Sequence, residues 1–100
     1  MIAFEEQEET LLVTLSGDID HHIARDLRMQ IDEEVTRLCP QVLCLDFREV
    51  TFMDSSGIGL VMGRYKLIQS MGGTLQVINL SNHIRRVMIL AGLDKLAIIR

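Results

Sequence analysis

Tryptophan is absent, and Phe4, Phe47, Phe52 and Tyr65 are the only aromatic residues in a chain of 100. Single-stranded nucleic acid is held on stacked aromatics and duplexes on basic stripes, and this chain has neither. Ten Lys and Arg face fourteen Asp and Glu, for a formal charge of -4. Glu5, Glu6, Glu8 and Glu9 crowd the N-terminal segment, so a phosphate backbone is repelled rather than gathered. No apolar run approaches the ~18 residues of a membrane span, and no basic segment followed by an apolar one opens the chain. Neither membrane nor nucleic acid is therefore expected as a direct partner, and a cytoplasmic setting is. Cysteine is scarce as well. Cys39 and Cys44 stand five apart without a C-x-x-C arrangement, as expected of reduced structural thiols. One proline, no repeat and no low-complexity stretch exclude linkers and fibrous designs.

An apolar fraction of 48% beside 24% charged residues is that of a globular domain. The length allows one domain and no separate catalytic partner domain. Area scaling gives roughly 5,800 Å² accessible when folded against about 16,500 Å² unfolded, so a core forms without a disulfide or metal staple.

Along the chain, Leu11, Val13 and Leu15 alternate with Leu12, Thr14 and Ser16, which is the period of a strand ending at Gly17. Ile2 to Gln7 forms a short strand before it. Asp20 caps a helix whose apolar stripe is Ile23, Leu27, Ile31, Val35 and Leu38, and Pro40 ends it. Val42 to Phe47, nearly all apolar, reads as a central strand, followed by a loop from Arg48 to Asp54. A helix from Ser55 or Ser56 to Met71 is closed by Gly72 and Gly73. Thr74 to Asn79 is a strand. Ser81 or Asn82 caps a helix carrying Ile84, Val87, Met88 and Ala91, and Leu96 to Ile99 is a last strand. Strands alternating with helices imply right-handed crossovers and a mainly parallel sheet with an antiparallel N-terminal edge, an α/β fold.

The middle helix has two apolar stripes. At ~100° per residue, Ile58, Val61, Met62, Tyr65 and Ile68 gather within about 120° as the core face. Leu60, Leu67 and Met71, with Arg64 among them, fall about half a turn away, so something else should cover them: a partner protein, a second copy or a neighbouring helix. Ser56 lies on the side of this second stripe, one turn before Leu60, whereas Ser55 projects toward the core, where its hydroxyl, like the Asp54 carboxylate, can accept from helix N–H groups. Gly57 and Gly59 weaken the first turn by about 1 kcal/mol each, which points either to close approach of a backbone or phosphate or to a tight strand-to-helix turn.

The segment Phe52-Met-Asp-Ser-Ser-Gly-Ile-Gly-Leu-Val-Met-Gly-Arg-Tyr-Lys66, continuing through Gly72 and Gly73, closely resembles the phosphorylation-site segment of the anti-sigma factor antagonists of the STAS-domain family. Gly17-Asp-Ile-Asp-His-His22 is similar to the loop before the first helix in sporulation-type members. The resemblance implies βα units in a right-handed superhelix, a single STAS domain over residues 1–100, and a role in partner switching without catalysis or cofactor. It implies that the unmodified protein binds an anti-sigma factor that is also a serine kinase, releasing the sigma factor. Phosphorylation on the second serine of the DSSG motif, Ser56 here, would end that binding, and a serine phosphatase would restore it. Asp54, Ser55, Gly57 and Ile58 join the recognition site on the same resemblance, with Asp20 as a neighbour. Leu60, Arg64, Leu67 and Met71 are added from the second stripe. Sporulation-type relatives continue into a further C-terminal helix, so one side of this domain is expected to have less cover.

A phosphate on Ser56 would add roughly -1.5 to -2 charges at a helix N-terminus, which the fold should tolerate while a partner would have to desolvate it. A serine hydrolase would need a base beside Ser56, and His21, His22 and His83 form no catalytic pattern with it. Paired histidines without nearby cysteine are a poor metal site. The alternative is a sensor or scaffold use of the same fold, in which the serine is not a switch.

Overall fold

A computed structural model describes residues 2–100. The described elements run β1 (Ile2–Gln7), β2 (Thr10–Ile19), α1 (His21–Leu38), β3 (Val42–Met53), α2 (Ser55–Ser70), β4 (Thr74–Ile78), α3 (Asn82–Leu90) and β5 (Ile98–Ile99), with a 3-10 turn at Leu93–Lys95. The strands form one sheet in the order β1-β2-β3-β4-β5. β1 is antiparallel to β2 and every other pairing is parallel. Each parallel connection joins neighbouring strands in the same direction, so right-handed crossovers place the three helices on one face.

Register shows which side chains those helices cover. Leu11, Leu43 and Leu75 stand opposite one another, as do Val13, Leu45 and Val77, and all six are buried. The alternate rows, Leu12 with Cys44 and Gln76, and Thr14 with Asp46 and Ile78, occupy the other face. All of these except Cys44 are only half-buried, the expected difference between a helix-covered and an uncovered side. The accessible surface is 5832 Å², the area expected of a compact chain of this length.

Two strands run further than their residue pattern suggests. β2 passes Gly17 and reaches Ile19, and β3 continues to Met53 where a loop from Arg48 was expected. Register shifts at Thr14/Ser16 and Gly17/Asp18 hide the continuation by breaking the two-residue period, and Gly17 adopts a φ of 84° there. Beyond the shifts the ladder resumes, pairing Asp18 with Phe52 and Ile19 with Met53, and the Thr51 hydroxyl donates to Asp18 Oδ1 at 2.6 Å. β2 and β3 therefore project past β4 as a lip carrying Asp20 and Asp54. At the other end of the chain the last strand is shorter than expected. Leu93–Lys95 turns in 3-10 geometry and β5 retains only Ile98 and Ile99.

Local chemistry fixes the helix ends. Asp20 Oδ1 accepts from the Ile23 N–H at 2.9 Å, and Ala24, Leu27, Ile31 and Val35 form the buried side of α1. At the end of α2, Gly73 N–H donates to Ile68 O and Gly72 N–H to Gln69 O, with Gly72 at a φ of 82°. This is the double closure that a left-handed glycine after the cap permits. Ser81 caps α3 through Ile84 N–H; Ile84 and Met88 are buried, whereas Ala91, expected on the same stripe, is exposed beyond the helix.

Candidate functional site

The carboxyl ends of β2 and β3 lie side by side, and each feeds directly into a helix. Open α/β sheets place ligands beyond the carboxyl ends of their strands, where helix N-termini converge. Here that edge gathers Asp20 and His21 from one connection and Phe52 to Ser56 from the next. The Asp54 N–H donates to Ile19 O at 3.2 Å, tying the two together.

Asp54 caps α2, its Oδ1 accepting from the Ser56 N–H at 2.8 Å. The carboxylate fixes the backbone of Ser56 without engaging its hydroxyl. The Ser56 side chain is half-buried and lines a groove of about 520 Å³ between α1 and α2. Ser55 is exposed, which corrects the expectation that it turns toward the core. It stands on the outer rim, and Asp54 alone performs the capping. Phe52, just before the lip ends, leaves 55% of its surface exposed, although it is a large apolar residue. Sequence reasoning used Phe52 only as part of a motif; its exposure depends on the extended β3, which the pattern did not reveal.

At Gly57 the neighbour is neither a backbone nor a phosphate but the side chain of Met53, which favours the tight strand-to-helix turn. A Cβ there would collide with the Met53 Cγ and Sδ atoms, so the first turn of α2 sits against the end of β3 only because position 57 has no side chain. Gly59 is different. A Cβ on Gly59 or Gly63 would meet nothing within 4 Å, and both positions border the groove, so these glycines keep it open.

The second stripe of α2 is not an open surface. Leu60 is 4% exposed, Arg64 6%, and Leu67 and Met71 are half-buried against the core. α1 supplies the cover. The two helices follow adjacent parallel strands and lie side by side in the same sense, so the side of α2 turned toward α1 is enclosed. The face expected to be core, Ile58, Met62 and Tyr65, is correspondingly only half-buried, while Val61 and Ile68 are fully buried. A helical wheel separates faces but does not say which face a neighbouring helix will take. Of the four stripe residues, Leu60, Arg64 and Leu67 border the groove and Met71 does not.

Arg64 owes its burial to Asp32 on α1. Its Nε lies 2.8 Å from Asp32 Oδ1, although the N–H is not aligned as a hydrogen bond, and Nη1 has no hydrogen-bond partner among the described residues. Burial pulls the Arg64 guanidinium below the usual arginine range, Asp32 opposes that shift and Arg28 adds to it. Arg28 reaches the same carboxylate only at 3.9 Å. With His21, Ala24 and Arg25 these residues form the α1 wall of the groove. The small residues that line both walls, Ala24 on α1 and Gly59 and Gly63 on α2, were the available signal of a cleft.

Among the described residues no group of three or more His, Cys, Asp or Glu is arranged to hold a metal. No helix is long and apolar enough to cross a membrane.

The family model described as "Mlab, STAS domain" matches residues 2–100. The anti-sigma F factor antagonist of Paenibacillus polymyxa is 39% identical over 95% of this chain and 81% of its own length. Among solved structures, the anti-sigma factor antagonist SpoIIAA in its unphosphorylated form superposes with a TM-score of 0.86 at 29% identity, covering 100% of this chain and 88% of the other. The Bacillus cell fate determinant SpoIIAA in its phosphorylated form gives a TM-score of 0.79 at 29% identity, covering 100% and 91%. Similarity thus extends along the whole described fold. The chain belongs to the STAS-domain family and, within it, to the anti-sigma factor antagonists.

Proposed function

We propose that this protein binds an anti-sigma factor with serine kinase activity through the sheet edge that carries Asp20, Phe52, Asp54, Ser55, Ser56, Gly57 and Ile58, and that phosphorylation of Ser56 ends the interaction. A serine phosphatase resets it, and the setting is the cytoplasm of a sporulating cell. The observation that carries this reading is the position of Ser56: its backbone is pinned by Asp54, and its side chain opens into a groove beside an exposed Phe52. A solved relative exists in both phosphorylated and unphosphorylated forms, which supports a modification that leaves the fold intact.

The contact surface differs from the stripe expected from the helical wheel. Leu60 and Arg64 lie behind α1, too buried to meet a partner; Phe52 and Ile58 supply the apolar part of the edge. A partner seated there must exclude water from Ser56. A phosphoserine adds roughly -1.5 to -2 charges beside Asp54, and desolvating it opposes docking. A net loss of ~3 kcal/mol lowers affinity more than a hundredfold, so partners can exchange without a large conformational change. The helix N-terminus meanwhile favours the anion by about 0.3 to 1 kcal/mol, and the fold holds.

Titration against the purified kinase partner in the presence of ATP tests this. Ser56→Ala should remain bound, and Ser56→Asp should bind at least tenfold more weakly. Equal affinities would remove the mechanism. Ser55→Ala should still accept phosphate, and mass spectrometry that finds the modification only on Ser55 would move the switch to the outer rim.

A further inference from the structure

The groove between α1 and α2 is cationic in a protein whose net charge is -4. Its walls carry Arg25, Arg28 and Arg64 against a single acid, Asp32, with His21 at the head beside Ser56. Asp32 is already engaged. Arg64 holds it at 2.8 Å and Arg28 stands off at 3.9 Å, while Arg25 makes no ion pair among the described residues. Asp20 and Asp54, which cap α1 and α2, are not among the groove's lining residues. Arg64, itself only 6% exposed, lines the same groove, and its Nη1 has no hydrogen-bond partner among the described residues.

Arg25 and Arg28 stand one and two turns along α1 from His21 and line the same groove as Ser56. Gly59 and Gly63 leave that path open. We infer that the groove is a phosphate-binding site and that its ligand is the phosphate carried by Ser56 itself, clasped in the same molecule by Arg25, Arg28 and His21. This rests on Ser56 being the modified residue. It adds that the modification fills the groove and ties α1 to α2, so the phosphorylated protein is the more rigid form. Arginine pairs with phosphate through two parallel N–H donors, and a dianion held this way keeps its charge to lower pH than a free one.

The test places phosphoserine at position 56 during synthesis, which separates it from the action of any kinase, and compares it with phosphoserine at position 55 on the exposed rim. Phosphorus NMR follows the second ionisation, which lies near 6 for free phosphoserine. At position 56 it should lie about one unit below its value at position 55 and return toward that value in the Arg25→Gln/Arg28→Gln variant. Both arginines are exposed, so that variant keeps the fold, as circular dichroism would show. Equal values at 55 and 56 overturn the clasp. A fall at 56 that the double variant leaves unchanged also overturns it, because the helix N-terminus alone would then account for the shift. Absence of phosphate on Ser56 in the native cell would instead sink the switch, a result that leaves the NMR comparison untouched.

Discussion

Cys39 and Cys44 show how far position in the fold separates two chemically identical residues. Cys39 ends α1 with a φ of 48°, exposed to solvent, whereas Cys44 is buried in β3 on the sheet face away from the helices. Burial pushes the Cys44 thiol up from its ordinary range, Asp46 adds to the effect and Arg100 opposes it. In native buffer, an alkylating reagent should therefore label Cys39 rapidly and leave Cys44 unmodified until the chain unfolds, as peptide mapping would reveal. The pH dependence has a definite sign. Below the ordinary thiol range both folded and unfolded chains keep the proton, and Cys44 costs nothing. Above about 8.5 the unfolded chain loses it first, so stability falls as pH rises until the buried thiol also ionises. Urea titrations between pH 7 and 10 should show that alkaline decline flattened in Cys44→Ala. The serines at 55 and 56 teach the same lesson. Their types and spacing are readable in the sequence, but which one enters the groove depends on α1, and the wheel placed Ser55 on the wrong side.

Elements whose information is local were legible. The Asp20 and Asp54 caps, the glycine closure of α2 and the buried Leu27, Ile31 and Val35 of α1 all follow from side-chain chemistry within a few residues, whereas Ile23 and Leu38 are only half-buried and Ala24 takes a place in the core. The extension of β3 was not legible, because the exposed pair Arg48 and Glu49 interrupts its alternation and the ladder resumes only across from a shifted β2. The cover over α2 was not legible either, since it comes from α1, and topology rather than periodicity brings the two together. Glycine substitutions along α2 separate these effects. Gly59→Ala and Gly63→Ala meet no obstacle and should each stabilise the helix by about 0.5–1 kcal/mol. Gly57→Ala forces Met53 aside and should destabilise, and urea midpoints would order the three variants. The Arg64–Asp32 pair that joins the helices gives a further contrast. Asp32→Ala leaves a buried guanidinium alone and should cost about 3 kcal/mol, while Arg64→Met with Asp32→Ala together should be nearer neutral. A double-mutant cycle in urea measures the difference.

At the scale of the molecule, one rim of the sheet carries every feature assigned to recognition: the lip of β2 and β3, the capped starts of α1 and α2, Phe52, and the head of the groove. The opposite rim is built from connections alone. There the Gln41 N–H donates to Glu9 O and the Thr74 N–H to Gln41 O, each at 2.8 Å, stitching the β1–β2 turn, the α1–β3 connection and the end of α2 into a single seam. Two polar positions on that seam, Glu8 and Gln41, are exposed. The length of the strands lies between the two rims, so the protein has a working end and a handle. A dye or surface tether fixed through the handle would leave the Ser56 hydroxyl and its surroundings free, letting partner exchange be watched on single immobilised molecules.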